Sequence, residues 1–554
     1  MGIRRYGLAL FRILLMLLFG ATLAPIAAAQ TAPSTAPLTA APGKSGGEGG
    51  GFGRDVTLKA ATKQDPFLKT IVGQPSGAPT GNDAQSKCLR IAWGDYTDIK
   101  GAPSSIVEVS VITGTDGITK ICKVDGYVNP QVGFRILMPL DTWNGKYMQN
   151  GCGGACAGPI YIPCEVQVLR GYACLAADMG HRGTTYDTVW AIEDPMAMID
   201  RQWRSTHVAT LAGKAITTRY YGQSPKYSYY HGASTGGLQG NTIAQRFPED
   251  FDGIIAGEGG PWRNPNPGGM SGFIDAGRNL SDAQGVPIVS PDEIRMLHKA
   301  VIARCDGLDG LKDGIITDPR TCDFKPAMLL CSGAKDANCL SPLQVTAVEH
   351  VYNEGRGPQL GSEIAWIGAY VAADGSSGRY ARAKPAVQPY SSYTSNEPAP
   401  NPDLSALKAH GTKFILYSGW ADEVIDPVGP LEYYEKVEKI FGRKETQSFF
   451  RFFIIPGQSH IPGGVGAESI EYIKALEDWV ERGKAPDMLI GHKLKWISQM
   501  MGPMYLDKDL QPSNFLYSRP QYPYPVQARY KGKGDPDDAA SFGPWDPNTK
   551  KWLK

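Results

Sequence analysis

A serine between glycines is the residue of this sequence best suited to nucleophilic chemistry. Ser234 stands in the motif Gly232-Ala233-Ser234-Thr235-Gly236, after the run Tyr227–His231 of strand character and before a stretch with helical periodicity. Strand, sharp turn and helix in this order form a nucleophile elbow, which lifts the serine hydroxyl above a helix N-terminus. We therefore predict that Ser234 is a catalytic nucleophile, with backbone N–H groups of the helix where negative charge develops.

A nucleophilic serine needs a base, and the base needs an acid that orients it. In hydrolases with this elbow, the chain order is serine, acid, histidine. Among the histidines after Ser234, His460 alone follows a strong strand pattern into a glycine-rich loop. Asp422 is the first carboxylate after the preceding strand pattern, and Glu423 and Asp426 are its alternatives. These positions predict a Ser-Asp-His triad.

A glycine-rich loop precedes the elbow in the chain. The segment Asn144–Gly154 has a strand pattern that ends in Gly151-Cys152-Gly153-Gly154. Hydrolases of this type take a second oxyanion donor from such a loop, although a plain tight turn has the same composition. We predict that the N–H of Gly153 is this donor, and its neighbours in the loop are equal alternatives.

The elements around these residues alternate between strand and helix. Strand patterns cover 106–111, 134–139, 171–178, 251–257, 413–419 and 449–456, and helical patterns cover 200–221, 431–441 and 470–483. This alternation predicts an α/β fold with a mainly parallel sheet and flanking helices. The pattern is interrupted over 258–407, which indicates an inserted cap or lid domain between two parts of a catalytic domain, 56–257 and 408–554.

The N-terminal residues resemble an export signal. Residues 1–29 have two arginines, an apolar run and small residues before a cleavage site near Ala29, so we expect a secreted or periplasmic protein. Residues 30–55 are rich in Pro, Ala, Gly, Ser and Thr and are predicted to be a disordered leader. No later segment is apolar enough to span a membrane, and a formal net charge of +1 gives no indication of a nucleic-acid partner. The sequence does not predict an oligomeric state.

Ten cysteines in an exported chain favour disulfides. Cys88 and Cys122 flank the first strand pattern and are predicted to pair. The segment Cys305–Ile315 contains three aspartates and several glycines, and hard oxygen ligands of this kind are what Ca²⁺ requires. An acidic turn without a metal has the same composition, and the spacing is not that of an EF-hand.

Several segments resemble the tannase/feruloyl esterase family of secreted α/β-hydrolases. The resemblance covers nearly everything after about Cys88. It includes the following segments, several of which are specific to the family: 134–158, 221–225, 251–257, 420–422, 456–464, 476–487 and 519–542. It implies the α/β-hydrolase fold with a large cap, and it assigns nucleophile, acid and base to Ser234, Asp422 and His460. It also implies that the N–H of Thr235 is an oxyanion donor.

The resemblance further implies a structural Ca²⁺ in the cap. The implied ligands are the carboxylates of Asp306, Asp309 and Asp313 and the carbonyls of Leu311 and Ile315. A disulfide between Cys305 and Cys322 would close this loop and contribute about 3 kcal/mol by constraining the unfolded chain.

The chain departs from the family at several cysteine positions. Ala233 and Ile461 stand where the family has a disulfide between nucleophile and base, and Tyr522 and Gly543 replace a later pair. Conversely, four cysteines near the oxyanion loop have no family counterpart, and their pairing is left open: Cys152, Cys156, Cys164 and Cys174. Cys331 and Cys339 complete the disulfide candidates.

The expected function is therefore hydrolysis of esters of phenolic or terephthalic acids through an acyl-enzyme. Aromatic and basic residues of the cap are candidates for contacting the substrate, or equally for core and surface: Trp366, Tyr370, Tyr380, Tyr390, Tyr393, Arg379, Arg382 and Lys384. The alternatives are an amide or peptide hydrolase with the same triad, and a non-catalytic binding protein on the same scaffold.

Overall fold

The computed structural model describes residues 77–154, 156, 164–183, 190, 194–259, 280–284, 286–353, 400–422, 425, 427–460, 464–495 and 511–553. The chain divides into two units, Met1–Pro66 and Phe67–Lys554, and every described residue belongs to the second. The predicted signal and leader, 1–55, therefore lie outside the described residues.

A single large sheet carries the elements around Ser234. Within the described residues its nine strands are β1 (Ser104–Thr113), β2 (Lys120–Val128), β3 (Val132–Pro139), β4 (Lys146–Asn150), β5 (Ala173–Ala177), β6 (Tyr227–Ala233), β7 (Gly253–Gly257), β8 (Lys413–Gly419) and β9 (Phe450–Ile455). Their spatial order is β1-β2-β3-β5-β4-β6-β7-β8-β9. Strands β1, β2, β3 and β5 pair antiparallel, and every pairing from β5 to β9 is parallel. The predicted mainly parallel sheet is confirmed.

The described residues also form α-helices, several short 3-10 helices, a π-helix (Asp200–Arg204) at the start of the predicted helix 200–221, and two small antiparallel sheets. The α-helices are α1 (Ala84–Arg90), α2 (Cys164–Leu169), α3 (Pro195–Ile199), α4 (Ser205–Tyr221), α5 (Thr235–Arg246), α6 (Pro291–Cys305), α7 (Pro342–Asn353), α8 (Ser405–His410), α9 (Val428–Phe441), α10 (Arg443–Phe449) and α11 (Tyr472–Arg482). One small sheet contains β10 (Ser469–Ile470), β11 (Leu489–Leu494) and β12 (Phe515–Gln521), and the other contains β13 (Gln527–Tyr530), β14 (Phe542–Asp546) and β15 (Lys551–Trp552). The helix predicted from Ile470 begins only at Tyr472, because Ile470 pairs with Gly491 as part of β10.

The large sheet is covered by apolar side chains on both faces. Neighbouring residues of one strand, such as Ile254 and Ile255, belong to different hydrophobic clusters, as the two-residue period of a strand requires. Helices α4, α5 and α9 pack on one face, and α2 and α11 pack on the other. Burial on both faces explains why these strands are continuous apolar runs, and it provides the rigid support from which the loops extend.

The chain between β7 and β8 has a small core of its own. Helix α6 starts with a capping box in which Ser290 accepts from the N–H of Glu293 and the Glu293 carboxylate accepts from the N–H of Ser290. Leu297 and Val301 of α6 pack with Val348 of α7 in one cluster. The boundaries of the cap, 258–407, stay a prediction, and the aromatic and basic residues proposed at 366–393 lie outside the described residues.

None of the helices in the described part of the chain combines the length and the apolar composition that a membrane crossing demands.

Candidate active site

Ser234 occupies the turn between β6 and α5. Strand β6 ends at Ala233, helix α5 begins at Thr235, and Ser234 between them has φ 58° and ψ −125°. A non-glycine residue at positive φ is uncommon and indicates a backbone held by its surroundings. Here the N–H of Ser234 donates to the carbonyl of Gly257 at 2.9 Å, and its carbonyl accepts from Leu238 at 3.1 Å. The predicted order of strand, sharp turn and helix around Ser234 is confirmed, and the role of Ser234 as nucleophile stays a prediction.

Two positions at the elbow, Gly237 and Gly259, have no room for a side chain because other backbone segments lie too close. A Cβ atom on Gly237 would lie 2.1 Å from the carbonyl oxygen of Gly257, and one on Gly259 would lie 1.7 Å from that of Ser234. Both contacts are with main-chain atoms, which cannot rotate away. Glycine therefore lets the loop after β7 pack directly on the serine turn.

The structure brings Ser234, Asp422 and His460 together as one hydrogen-bonded chain. His460 Nε2 lies 2.9 Å from Ser234 Oγ, and His460 Nδ1 lies 2.9 Å from Asp422 Oδ2. Because a carboxylate only accepts, Nδ1 carries the proton and Nε2 is left to accept from the serine hydroxyl. The second carboxylate oxygen of Asp422 accepts from the N–H of Ile425 at 2.7 Å.

These three residues follow strands β6, β8 and β9, whose carboxyl ends share one edge of the parallel sheet. The side chains of Asp422 and His460 are only 1% and 8% exposed, so water screens their interaction weakly. Glu423 and Asp426, the two alternatives for the acid, lie outside the described residues.

The glycine-rich loop after β4 packs against the first turn of α5. The hydroxyl of Thr235 donates to the carbonyl of Gly154 at 2.6 Å. A disulfide between Cys152 and Cys156 closes the loop, and the N–H of Cys152 donates to Gln239 Oε1 at 3.3 Å. Gly153 is inside this closed loop and precedes Gly154, the residue that Thr235 contacts. The oxyanion roles of both residues stay predictions.

All ten cysteines are described, and none is free. The predicted pair Cys88–Cys122 and the pair implied by the resemblance, Cys305–Cys322, are both confirmed. The pairs that sequence left open are Cys152–Cys156 and Cys164–Cys174, and the remaining pair is Cys331–Cys339. No covalent bond therefore joins the loop of the serine to the loop of the histidine.

Glu258 is a residue near the triad that the sequence prediction missed. It follows β7, is 2% exposed, and has φ 46°. One carboxylate oxygen of Glu258, one of Asp422 and one ring nitrogen of His460 lie within 4.8 Å of one another. The sequence signal was an acidic residue between Gly257 and Gly259 at the end of a buried strand.

His231 of β6 lies three residues before the nucleophile and inside the fold. Its side chain is 5% exposed, and burial lowers the pKa of its imidazole to about 4. The ring nitrogen Nε2 of His231 makes no hydrogen bond with any described residue. His231 is therefore neutral in the folded protein near neutral pH.

The acidic loop of the cap is organised by its own carboxylates. Asp306 Oδ1 accepts from the N–H of Asp313 at 3.2 Å and of Gly314 at 3.0 Å, and Asp309 Oδ1 accepts from the N–H of Leu311 at 3.0 Å. Asp313 Oδ2 pairs with Arg519 Nη2 at 2.8 Å. These contacts are those of an acidic turn.

The same loop has features that suit a hard cation. Burial raises the pKa of Asp309, and the neighbouring charges of Asp313 and Asp306 add to the increase. The three aspartates offer carboxylate oxygens, which fit Ca²⁺. A bound cation would relieve the crowding of negative charge, while Asp313 would have to share its oxygen with Arg519.

A mostly parallel sheet flanked by helices, with a serine at the turn from strand to helix, defines an α/β-hydrolase. The chain belongs to the tannase and feruloyl esterase family, whose model matches residues 116–382 and 376–544. Like the relatives that its family model and its curated matches name, it is a carboxylic ester hydrolase.

Individual relatives agree with this membership. The chain is 30% identical to mono(2-hydroxyethyl) terephthalate hydrolase of Piscinibacter sakaiensis, over 81% of this chain and 87% of that protein. It is 30% identical to a probable feruloyl esterase of Arthroderma benhamiae, over 75% of this chain and 83% of that protein. The crystal structure of feruloyl esterase B from Aspergillus oryzae superposes with a TM-score of 0.67 and 25% identity, covering 83% of this chain and 100% of that chain.

Proposed function

We propose that this protein is a serine esterase that cleaves esters of aromatic acids through an acyl-enzyme. The observation that carries the proposal is the continuous hydrogen-bonded chain from Asp422 through His460 to Ser234, with both links at 2.9 Å. In this assignment Ser234 is the nucleophile, His460 the general base and Asp422 the acid that orients it.

The reaction starts when His460 Nε2 takes the proton of Ser234 as the serine oxygen attacks the ester carbonyl carbon. The N–H groups of Thr235 and Gly153 stabilise the oxyanion of the tetrahedral intermediate, and Asp422 stabilises the imidazolium. His460 then returns the proton to the departing alcohol, which leaves an acyl-serine. Water, deprotonated by the same histidine, attacks the acyl-serine and releases the acid and free Ser234.

The substrate class is supported by the names of the relatives. One is named for a terephthalate monoester and others for feruloyl esters, and both kinds of ester have an acid with an aromatic ring. We therefore propose a small aromatic ester as substrate, with galloyl, feruloyl and terephthaloyl groups as the acyl groups to test. The cap residues expected to contact the ring, 366–393, are outside the described part of the chain.

The test is hydrolysis of a panel by the purified protein, beside Ser234→Ala and Asp422→Asn. The panel contains methyl gallate, methyl ferulate, mono(2-hydroxyethyl) terephthalate and p-nitrophenyl acetate. We expect turnover of at least one aromatic ester, a loss of about a thousandfold or more in kcat in either variant, and little change in Asp426→Asn. Full activity of Ser234→Ala would overturn the mechanism, and turnover of p-nitrophenyl acetate alone would overturn the aromatic substrate class.

Two other activities are outcomes of the same experiment. Faster turnover of an anilide than of the matched ester would indicate an amide hydrolase with this triad. Ester binding without turnover, together with no labelling of Ser234 by a fluorophosphonate, would indicate a binding protein.

We also propose that the acidic loop of the cap binds a structural Ca²⁺. The carboxylates of Asp306, Asp309 and Asp313 and the carbonyls of Leu311 and Ile315 would hold the ion, which would stabilise the cap loop closed by the Cys305–Cys322 disulfide. We further propose that the protein is secreted or periplasmic, which the disulfides support.

A further inference from the structure

Glu258 is a buried carboxylate that no step of the proposed reaction uses. It begins the loop after β7, the strand that lies between β6 and β8 in the sheet. Glu258 is 2% exposed, and its backbone has φ 46°, a value that is uncommon for residues other than glycine. Burying a carboxylate is unfavourable unless hydrogen bonds or positive charge compensate it.

The neighbours of Glu258 connect it to both ends of the triad. Gln458, two residues before His460, donates from its amide nitrogen to Glu258 Oε1. Gly259 packs on the carbonyl of Ser234 so tightly that a Cβ atom would lie 1.7 Å from that oxygen. The segment Glu258–Gly259 therefore contacts the turn of the nucleophile and the loop of the base, which no disulfide joins.

The titratable groups that face Glu258 come from three further elements. Asp422 follows β8 and His460 follows β9, and each places a ligand-type atom within 4.8 Å of the Glu258 carboxylate. Tyr472 belongs to α11, and its pKa is raised mainly by burial, with a further increase from the charge of Glu258. The backbone N–H of Glu258 donates to the carbonyl of Tyr417 in β8 at 2.9 Å, which fixes the carboxylate's position.

We propose that Glu258 is a positioning residue for the base: it holds the His460 loop through Gln458, and its negative charge, beside that of Asp422, favours the imidazolium that forms during the reaction. Two buried carboxylates close to the imidazole favour its protonated form over the neutral one. The inference rests on the triad of the proposed function, and it concerns only how His460 is held and charged.

Two substitutions of one residue separate the two roles. Glu258→Gln keeps an acceptor for Gln458 but removes the charge, whereas Glu258→Ala removes both. An opposite charge within ~4–6 Å shifts a pKa by about one unit or more. We therefore expect the acid limb of the pH profile of kcat/KM to move about one unit lower in pH in Glu258→Gln, with KM unchanged. We expect Glu258→Ala to show the same displacement together with a fall of about tenfold or more in kcat, because its base loop is no longer held.

Gln458→Ala is the complementary variant, since it removes the hydrogen bond and keeps the charge. It should lower kcat without moving the acid limb. Glu468→Gln is the matched control: Glu468 is also buried, but it pairs with Lys493 at 3.0 Å. We expect that control to leave the acid limb where it is in the unaltered protein. Thermal unfolding of each variant verifies that it is folded.

The outcomes distinguish this inference from the triad itself. If Ser234→Ala is inactive and the pH profiles of Glu258→Gln and the unaltered protein coincide, the charge of Glu258 does not stabilise the imidazolium, and this part of the inference fails while the triad stands. If Glu258→Ala also keeps full kcat, the role in holding the loop fails as well. An active Ser234→Ala would remove the triad, and with it the basis of the inference.

Discussion

His231 should make the stability of this protein sensitive to mild acid. Its imidazole is buried in β6 and its pKa is lowered from 6.5 to about 4 because burial disfavours the charged form. As pH falls below 6.5, the unfolded chain binds a proton at this residue before the folded protein does. The folded state therefore loses stability between pH 6.5 and about 4, and the stability that the neutral imidazole contributes is complete above this window.

The magnitude follows from the two pKa values. For a group that titrates at 6.5 when unfolded and at about 4 when folded, linkage predicts that about 2 kcal/mol of unfolding free energy is lost between about pH 7.5 and about pH 5. His231→Gln replaces the imidazole with a side chain that does not titrate. We expect its loss over the same interval to be smaller by about 2 kcal/mol, whatever its stability at neutral pH.

Urea unfolding at the two pH values, followed by tryptophan fluorescence, measures the difference. His231→Leu provides a second non-titrating variant, so the result does not depend on how well one replacement fits. His410→Gln removes an exposed histidine and is the matched control for loss of an imidazole. Equal losses in the unaltered protein and in both His231 variants would refute the assignment.

Three further predictions concern the elbow, the oxyanion loop and the cap. Gly237→Ala should lower the unfolding free energy by about 2 kcal/mol or more, because its Cβ would lie 2.1 Å from a carbonyl oxygen; unchanged urea unfolding would contradict this packing. Replacing Cys152 and Cys156 by serine should reduce kcat for ester hydrolysis about tenfold or more with little change in KM, because the loop that contains the proposed oxyanion donor Gly153 is no longer closed. The same double replacement at the pair Cys331–Cys339 is the control, and equal effects of both would argue against a local cause. Adding Ca²⁺ at about a hundred times its Kd to chelator-treated protein should raise the free energy of unfolding by about 2.7 kcal/mol. Asp306→Asn should abolish this gain. A midpoint of thermal unfolding that does not change with Ca²⁺ would exclude the site.

The hydrogen-bonded arrangement of Ser234, His460 and Asp422 could be predicted because it depends on local patterns and on one property of parallel sheets. Each of Ser234, Asp422 and His460 follows a strand whose pattern is recognisable in the sequence, rich in tyrosine before Ser234 and mostly apolar before the other two. The carboxyl ends of parallel strands meet at one edge, so residues far apart in the chain come together there. The predicted bounds of the strands before Asp422 and His460 differ from the observed ones by one residue at most, whereas β6 extends two residues beyond its predicted end, to Ala233.

Glu258 could not be predicted in this way, because its role depends on which strands are neighbours. Strands β7 and β8 pair in the sheet although about 150 residues separate them, and no local pattern records that pairing. A carboxylate between two glycines after a strand is typical of an exposed turn. Glu258 is buried near His460 by contacts with residues distant in the chain, which include Tyr417 and Gln458.

The antiparallel part of the large sheet and the two C-terminal sheets were also beyond the sequence prediction. Strand β5 lies between β3 and β4, so spatial order differs from chain order at this point. Short strands such as β10 and β15, with two residues each, are defined by their partners and have no periodicity to detect.

The order of the disulfides along the chain has a consequence for biogenesis. Each cysteine bonds to the next one in the sequence: Cys88–Cys122, Cys152–Cys156, Cys164–Cys174, Cys305–Cys322 and Cys331–Cys339. No loop closed by one bridge contains a cysteine of another. An oxidase that joins thiols in the order in which they leave a ribosome or a translocation channel would therefore produce the native set directly, and disulfide isomerase activity would have nothing to correct.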